Sequence, residues 1–89
     1  MTYTVVLLHE QDGRYSAMVP ALDVASWGHT VPEALRMVEE ALQLHLESLR
    51  AHGDPIPTDT TTFEVDMGDA RDAVIYKIEV KLPQEAAVA

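Results

Sequence analysis

One segment constrains the fold of this chain more than any other. Thr30-Val31-Pro32-Glu33 opens it, and Leu35, Val38, Leu42, Leu46 and Leu49 follow at intervals of three or four residues. That interval places five apolar side chains in one stripe along an α-helix. Thr30 and Glu33 have the spacing of a capping box, in which each side chain satisfies the other's free N–H. Pro32 is tolerated in a first turn. Gly53 ends the segment, with Pro55 and Pro57 behind it. The pattern predicts a helix over residues 31–52, roughly 33 Å long at 1.5 Å per residue. Ala34 and Ala41 flank the stripe, whereas Glu39, Glu40, Gln43, Glu47 and Arg50 fall largely away from it. A helix with one apolar stripe must bury it against something.

The rest of the chain offers strands. Residues 3–9 are β-branched, aliphatic or aromatic, and residues 14–19 read as a second strand. Glu10-Gln11-Asp12-Gly13 lies between them, and Asp-Gly is a strong hairpin signal. Tyr3, Val5 and Leu7 share one face of this hairpin; Thr4, Val6 and Leu8 share the other. Both faces carry apolar groups, so periodicity does not say which is inside. Pro20 ends the second strand because it has no N–H for a ladder. Val24–Trp27 reads as a short third strand, and Gly28 turns the chain. Residues 54–62 form a loop. Residues 63–66 begin a strand that breaks at Gly68-Asp69. Residues 73–82 alternate, with Val74, Tyr76, Ile78, Val80 and Leu82 on one face and Lys77, Glu79 and Lys81 on the other with Ile75. That is a half-buried strand.

The expected fold is therefore α+β. It is a two-layer β-β-β-α-β arrangement with one long helix packed on a small, mainly antiparallel sheet. A chain of 89 residues supports one core, so residues 1–82 form one domain and 83–89 a frayed tail. One helix leaves the second sheet face uncovered, and Val6, Leu8, Met18 or their opposites would expose an apolar patch there. Such patches mark interfaces, so a homo-oligomer, a dimer or tetramer, is expected.

Charge and composition exclude several functions. Fifteen acids against six bases give a net charge of −9. Nucleic-acid binding needs Lys and Arg to neutralise phosphates, so direct nucleic-acid binding is not expected. A basic protein is the better partner, because opposite charge steers encounter. Cysteine is absent, which excludes disulfides and thiolate metal sites. No apolar run approaches a membrane span, and Met1–Leu8 lacks the basic start of a signal peptide. A cytoplasmic protein is expected.

No pattern points to catalysis or to a cofactor. His45 and His52 are two helical turns apart, too far to share a metal, and His9 and His29 sit near strand ends. Glu39-Glu40, or Asp69 with Asp72, could suggest a nuclease carboxylate cluster, but the helix acids read as a solvated face. A nuclease would need several carboxylates converging from strands, and the strands offer only Glu79. Ser16, Ser26 and Ser48 lack a nucleophile motif. The glycines at 13, 28, 53 and 68 stand singly, so there is no phosphate loop. Trp27, the sole tryptophan, reads either as a core or sheet-edge anchor or as an interface hot spot.

An ordered set of these residues resembles the HicB family, the antitoxins of bacterial HicBA toxin–antitoxin pairs. It comprises the Tyr3–Tyr15 hairpin with Asp12-Gly13, Val19-Pro20, Gly28-x-Thr30, Glu33-Ala34-Leu35, Glu40-Ala41 and Gly53-x-x-Ile56-Pro57. Pro20, Gly28, Thr30, Glu33, Gly53 and Pro57 are its structural motif positions. The resemblance implies a reduced ribonuclease-H-like fold, in agreement with the elements above. Ala21-Leu22-Asp23-Val24 and His29 depart from the family pattern. After Ala89 no room is left for the family's DNA-binding domain, so operator binding is not expected.

The resemblance further implies a HicA-type partner, a small basic toxin that cleaves messenger RNA. The chain would act without catalysis and without cofactors, covering the toxin by direct binding. Trp27, Glu39, Glu40 and Glu47 are the candidate partner-binding residues. Two alternatives stand beside this one: an orphan HicB-fold oligomeric module with no toxin, and a degenerate ribonuclease-H-like hydrolase.

Overall fold

The computed structural model describes residues 1–81. Strands β1 (Thr2–His9), β2 (Tyr15–Val19) and β3 (Val24–Gly28) come first. Helix α1 (Val31–Ala51) follows, and β4 (Asp72–Glu79) closes the sheet. The four strands stand in the order β3-β2-β1-β4, and every neighbouring pair is antiparallel. The chain is thus the expected α+β, two-layer β-β-β-α-β unit. The tail at 83–89, and Leu82 with it, lies outside the described residues.

The hairpin turn is built as its residues dictate. Glu10 donates to the Arg14 carbonyl at 2.8 Å, and Gly13, at φ 90°, to that of Glu10 at 3.1 Å. Asp12 accepts from the Arg14 N–H at 3.0 Å and from its Nε at 2.7 Å. The Arg14 N–H thereby holds the Asp12 carboxyl below its ordinary range.

Both helix ends use their sequence signals, with two changes. The Thr30 hydroxyl accepts from the Glu33 N–H at 3.2 Å, as a capping residue should. Glu33 does not return the bond to Thr30. Its carboxylate accepts from the His29 N–H at 3.1 Å instead, one residue further back. At the other end His52 is the cap rather than the last helical residue. Gly53 has φ 71°. Its N–H reaches the Arg50 carbonyl at 3.1 Å, and the Asp54 N–H reaches that of Leu49 at 2.9 Å. These paired back-bonds satisfy the last carbonyls.

Gly28 serves a purpose other than turning the chain. A Cβ there would lie 2.5 Å from the Ala34 nitrogen and 2.9 Å from its Cα. Glycine lets the first turn of α1 approach β3 closely, and no other residue fits without a shift.

Register decides which hairpin face is inside. Tyr3, Val5 and Leu7 face α1, beside Ala17 and Val19 of β2 and Val24 of β3. Ala34, Val38, Leu42 and Leu46 are fully buried against them, and Leu35 and Leu49 border the cluster. From β4, Tyr76 and Ile78 pack at its margin, but Val74 is 44% exposed. Val74 thus departs from the expected half-buried face, because it stands on the outermost strand.

Two expectations about residues 54–71 change. Residues 63–66 form no strand. Phe63 and Val65 have β propensity but no ladder to join, and propensity alone does not make a strand. The second change concerns the sheet face away from α1. It is not left open, because the connection after α1 crosses it on the way to β4.

Candidate functional site

That crossing begins where β2 stops. The β1–β2 ladder stops at the pair Val6 and Met18, so the Thr4 N–H reaches no carbonyl of β2. Thr4 is only 2% exposed, and a buried N–H must be satisfied. Asp59 does this. Its carboxylate accepts from the Thr4 N–H at 2.9 Å and from the Thr4 hydroxyl at 2.7 Å. Lys77 Nζ donates to the same carboxylate at 2.9 Å and to the Thr4 hydroxyl at 2.6 Å. Burial alone would raise the Asp59 pKa. The Thr4 hydrogen bonds and the Lys77 charge outweigh it and lower the pKa to about 2.

On the other side of the loop, Ile56 packs against the core and the Pro57 carbonyl accepts from the Tyr3 hydroxyl. Burial, and secondarily the Asp59 charge, raise the Tyr3 phenol above its ordinary pKa. The loop is therefore pinned on both sides of β1, by Pro57 to Tyr3 and by Asp59 to Thr4.

Beyond Asp59 the chain leaves a groove of about 730 Å³ between itself and the sheet. Val6, Leu8, Met18, Ala25 and Trp27 line its floor. Glu10, Arg14, Glu64 and Asp66 also line it, and three of these four are acidic. Trp27 is 48% exposed. Its ring takes the Arg14 guanidinium at 5.1 Å, a cation–π distance. His29 meets the ring edge-on with centroids 5.2 Å apart. The arrangement suits a partner that brings an apolar or aromatic side chain flanked by positive charge. Among the described residues no three His, Asp or Glu side chains converge to hold a metal. No helix there is long and apolar enough to cross a membrane.

The candidate residues fall on opposite sides of the molecule. Trp27 belongs to the groove, while Glu39, Glu40 and Glu47 are exposed on α1, which covers the other sheet face. Sequence reasoning missed the set formed by Thr4, Asp59 and Lys77. Asp59 lies in the polar run Thr58–Thr62, and nothing local marks it.

Comparison with solved structures defines the class. The crystal structure of the N-terminal domain of the Burkholderia pseudomallei antitoxin HicB matches with a TM-score of 0.74 at 27% identity. It covers 92% of this chain and 100% of that domain. The longer structure of the same antitoxin matches 98% of this chain and 67% of its own, at a TM-score of 0.76 and 27% identity. A chain of the HicA3 and HicB3 toxin–antitoxin complex shares the fold at a TM-score of 0.61 and 20% identity. It covers 91% of this chain and 99% of that one. The protein is a HicB-like domain, as the sequence motifs imply.

Sequence comparison then gives the family. No family model matches the chain. The UPF0150 protein Ta0767 of Thermoplasma acidophilum is 42% identical over 60 residues, 66% of this chain and 87% of that protein. The UPF0150 protein ssr1765 of Synechocystis is 45% identical over 56 residues, 62% of this chain and 71% of that protein. This chain belongs to the UPF0150 family.

Proposed function

We propose that the protein is a HicB-like antitoxin that neutralises a small, basic, messenger-RNA-cleaving toxin by direct binding, with no catalysis of its own. The match to the whole N-terminal domain of an antitoxin HicB carries this reading. The net charge of −9 supports it, because a basic toxin is drawn to an acidic partner. The toxin's contact is the groove at Trp27, where an exposed ring stands among Glu10, Glu64 and Asp66. Glu39, Glu40 and Glu47 contribute at a distance, through the field they add. The protein acts in the cytoplasm as a homo-oligomer.

The test uses a HicA-type toxin from the same host. Adding this protein at micromolar concentration should form a stable complex and stop RNA cleavage in proportion to the toxin bound. Unchanged cleavage with no complex would overturn the reading and leave an oligomeric module with another partner. Metal-dependent cleavage of RNA by the purified protein itself would overturn it in favour of a hydrolase.

A further inference from the structure

Two residues of the groove floor, Ala25 and Trp27, also belong to an edge strand of the sheet. The direction of their backbone groups follows from the ladder. The Glu10 N–H donates to the Arg14 carbonyl at 2.8 Å, so these residues form a bonded pair. In an antiparallel ladder bonded pairs alternate with unbonded ones. Leu8 with Ser16 and Val6 with Met18 are therefore bonded too. The mutual bonds of Met1 and Val80, 2.9 and 2.8 Å, agree: they turn the odd residues of β1 to β4 and the even ones to β2. Tyr15, Ala17 and Val19 then face β3, opposite Gly28, Ser26 and Val24. It follows that the N–H and C=O groups of Ala25 and Trp27 point outward, away from β2.

These four groups have no partner among the described residues: no turn, loop or side-chain hydrogen bond reaches them. Both side chains are exposed, and β3 has no proline, lysine or bulge to guard its edge. Ala25 leaves space beside Met18, which stands opposite it, and Val6 lies next in that row. Charge then says what fits. Glu10, Glu64 and Asp66 line the groove, and among the described residues no cation pairs with them. Arg14, the one base there, is held by Asp12 at 2.7 Å. A second copy of the chain would bring the same three acids and its own net charge of −9. Residues 82–89 contain Glu85 and no lysine or arginine. Neither answers the charge of the groove; a basic segment does.

We propose that an extended, basic segment of the partner protein adds antiparallel to the outer edge of β3, with an apolar side chain over Ala25 and arginine or lysine at the alternate positions beside it. Its main chain takes the free groups of Ala25 and Trp27, and its alternate side chains enter the groove. In an antiparallel pair the bonded residues stand directly opposite each other and share a face. The residues that bond to Ala25 and Trp27 are therefore the ones whose side chains lie over the groove. The first reaches across Ala25 to Met18. The second sets a cation at the exposed Trp27 ring, where Glu10, Glu64 and Asp66 supply the opposite charge. The inference rests on the reading of the groove as the contact of a basic toxin, and adds how that contact is made.

Amide exchange of the full, isotopically labelled chain tests it, with the capped peptide Thr-Arg-Val-Phe-Val-Arg-Thr as the probe. At saturation the Ala25 and Trp27 amides should exchange roughly tenfold more slowly or less, because each gains a hydrogen bond. N-methylation of the peptide's phenylalanine removes a donor to Ala25 and should weaken binding roughly tenfold. N-methylation of the valine after it, whose N–H faces away from β3, should leave binding unchanged. Glutamate in place of both arginines should abolish binding. Unslowed exchange at Ala25 and Trp27 would overturn the proposal. So would equal losses from the two methylations, a loss from the valine alone, or a glutamate peptide that binds as well. A HicA-type toxin that forms a complex yet leaves these two amides exchanging as in the free chain would overturn strand addition and leave the toxin reading standing. A peptide that binds as expected, beside a toxin that forms no complex, would overturn the toxin reading and support strand addition.

Discussion

The two faces of the sheet are covered by different means. On one, α1 lays Val38, Leu42 and Leu46 against Tyr3, Val5 and Leu7, all at most 1% exposed. On the other, an irregular segment is tied down at Asp59 and leaves a groove further along. The difference follows from backbone hydrogen bonding. A helix satisfies its own peptide groups, so its side chains can form a dry cover over their whole length. An extended segment must find partners for its peptide groups elsewhere, so it covers a face only in patches. Stability is concentrated on the first face, and the exposed chemistry on the second.

The largest effect should come from cutting the helix face. Leu42→Ala should destabilise the fold by about 2–5 kcal/mol, through lost burial and the cavity left behind. Met18→Ala, on the groove floor, should cost clearly less, because that side chain is not fully buried. Urea unfolding of both variants measures the contrast. Equal losses would show that the connection buries its face as completely as the helix does.

Asp59→Ala comes next, because it releases the connection from β1. It leaves the buried Thr4 N–H without its partner, which should cost about 1–3 kcal/mol. The pH dependence has a definite sign. The Asp59 pKa is lower in the folded state, about 2 against 3.8. Its contribution is therefore fully present above the ordinary value and is lost as the pH falls through the folded one. The stability gap between wild type and Asp59→Ala should shrink from pH 4 towards pH 2, as followed by urea midpoints. A gap constant over that range would mean that the carboxylate charge does not hold the segment.

The same contrast separates what was legible in the sequence from what was not. The helix, its Thr30 start, its Gly53 stop and the Asp12-Gly13 hairpin are local, each written within a few residues. Even there, Glu33 chose the N–H of His29 over that of Thr30, a choice between neighbours that spacing cannot resolve. Which hairpin face goes inside depended on where α1 packs, and both faces offered apolar residues. The groove side was hidden for a stronger reason. Thr4 and Asp59 are 55 residues apart, and Thr4 and Lys77 are 73. Their meeting follows from the end of the β1–β2 ladder at Val6 and Met18. Pro20 was read as a strand end, but a strand end on β2 also strands a donor on β1, and that second step needs the sheet order.

The smallest effect on the fold, and the sharpest on function, should come from comparing the exposed candidates across the two faces. Trp27→Ala gives up the Arg14 contact, and its ring is already 48% exposed, so stability should fall by under about 1 kcal/mol. Toxin affinity should fall by about 2 kcal/mol or more, roughly 30-fold, if the ring is the anchor of the contact. Reversing Glu39, Glu40 and Glu47 to lysine changes the field but leaves the groove intact. Its effect should be a slower association that depends on salt, since charges outside a contact act mainly through steering. Stopped-flow association rates at two ionic strengths, with dissociation rates beside them, distinguish the two. A dissociation rate raised by the glutamate reversals and untouched by Trp27→Ala would move the toxin from the groove to the outer side of α1.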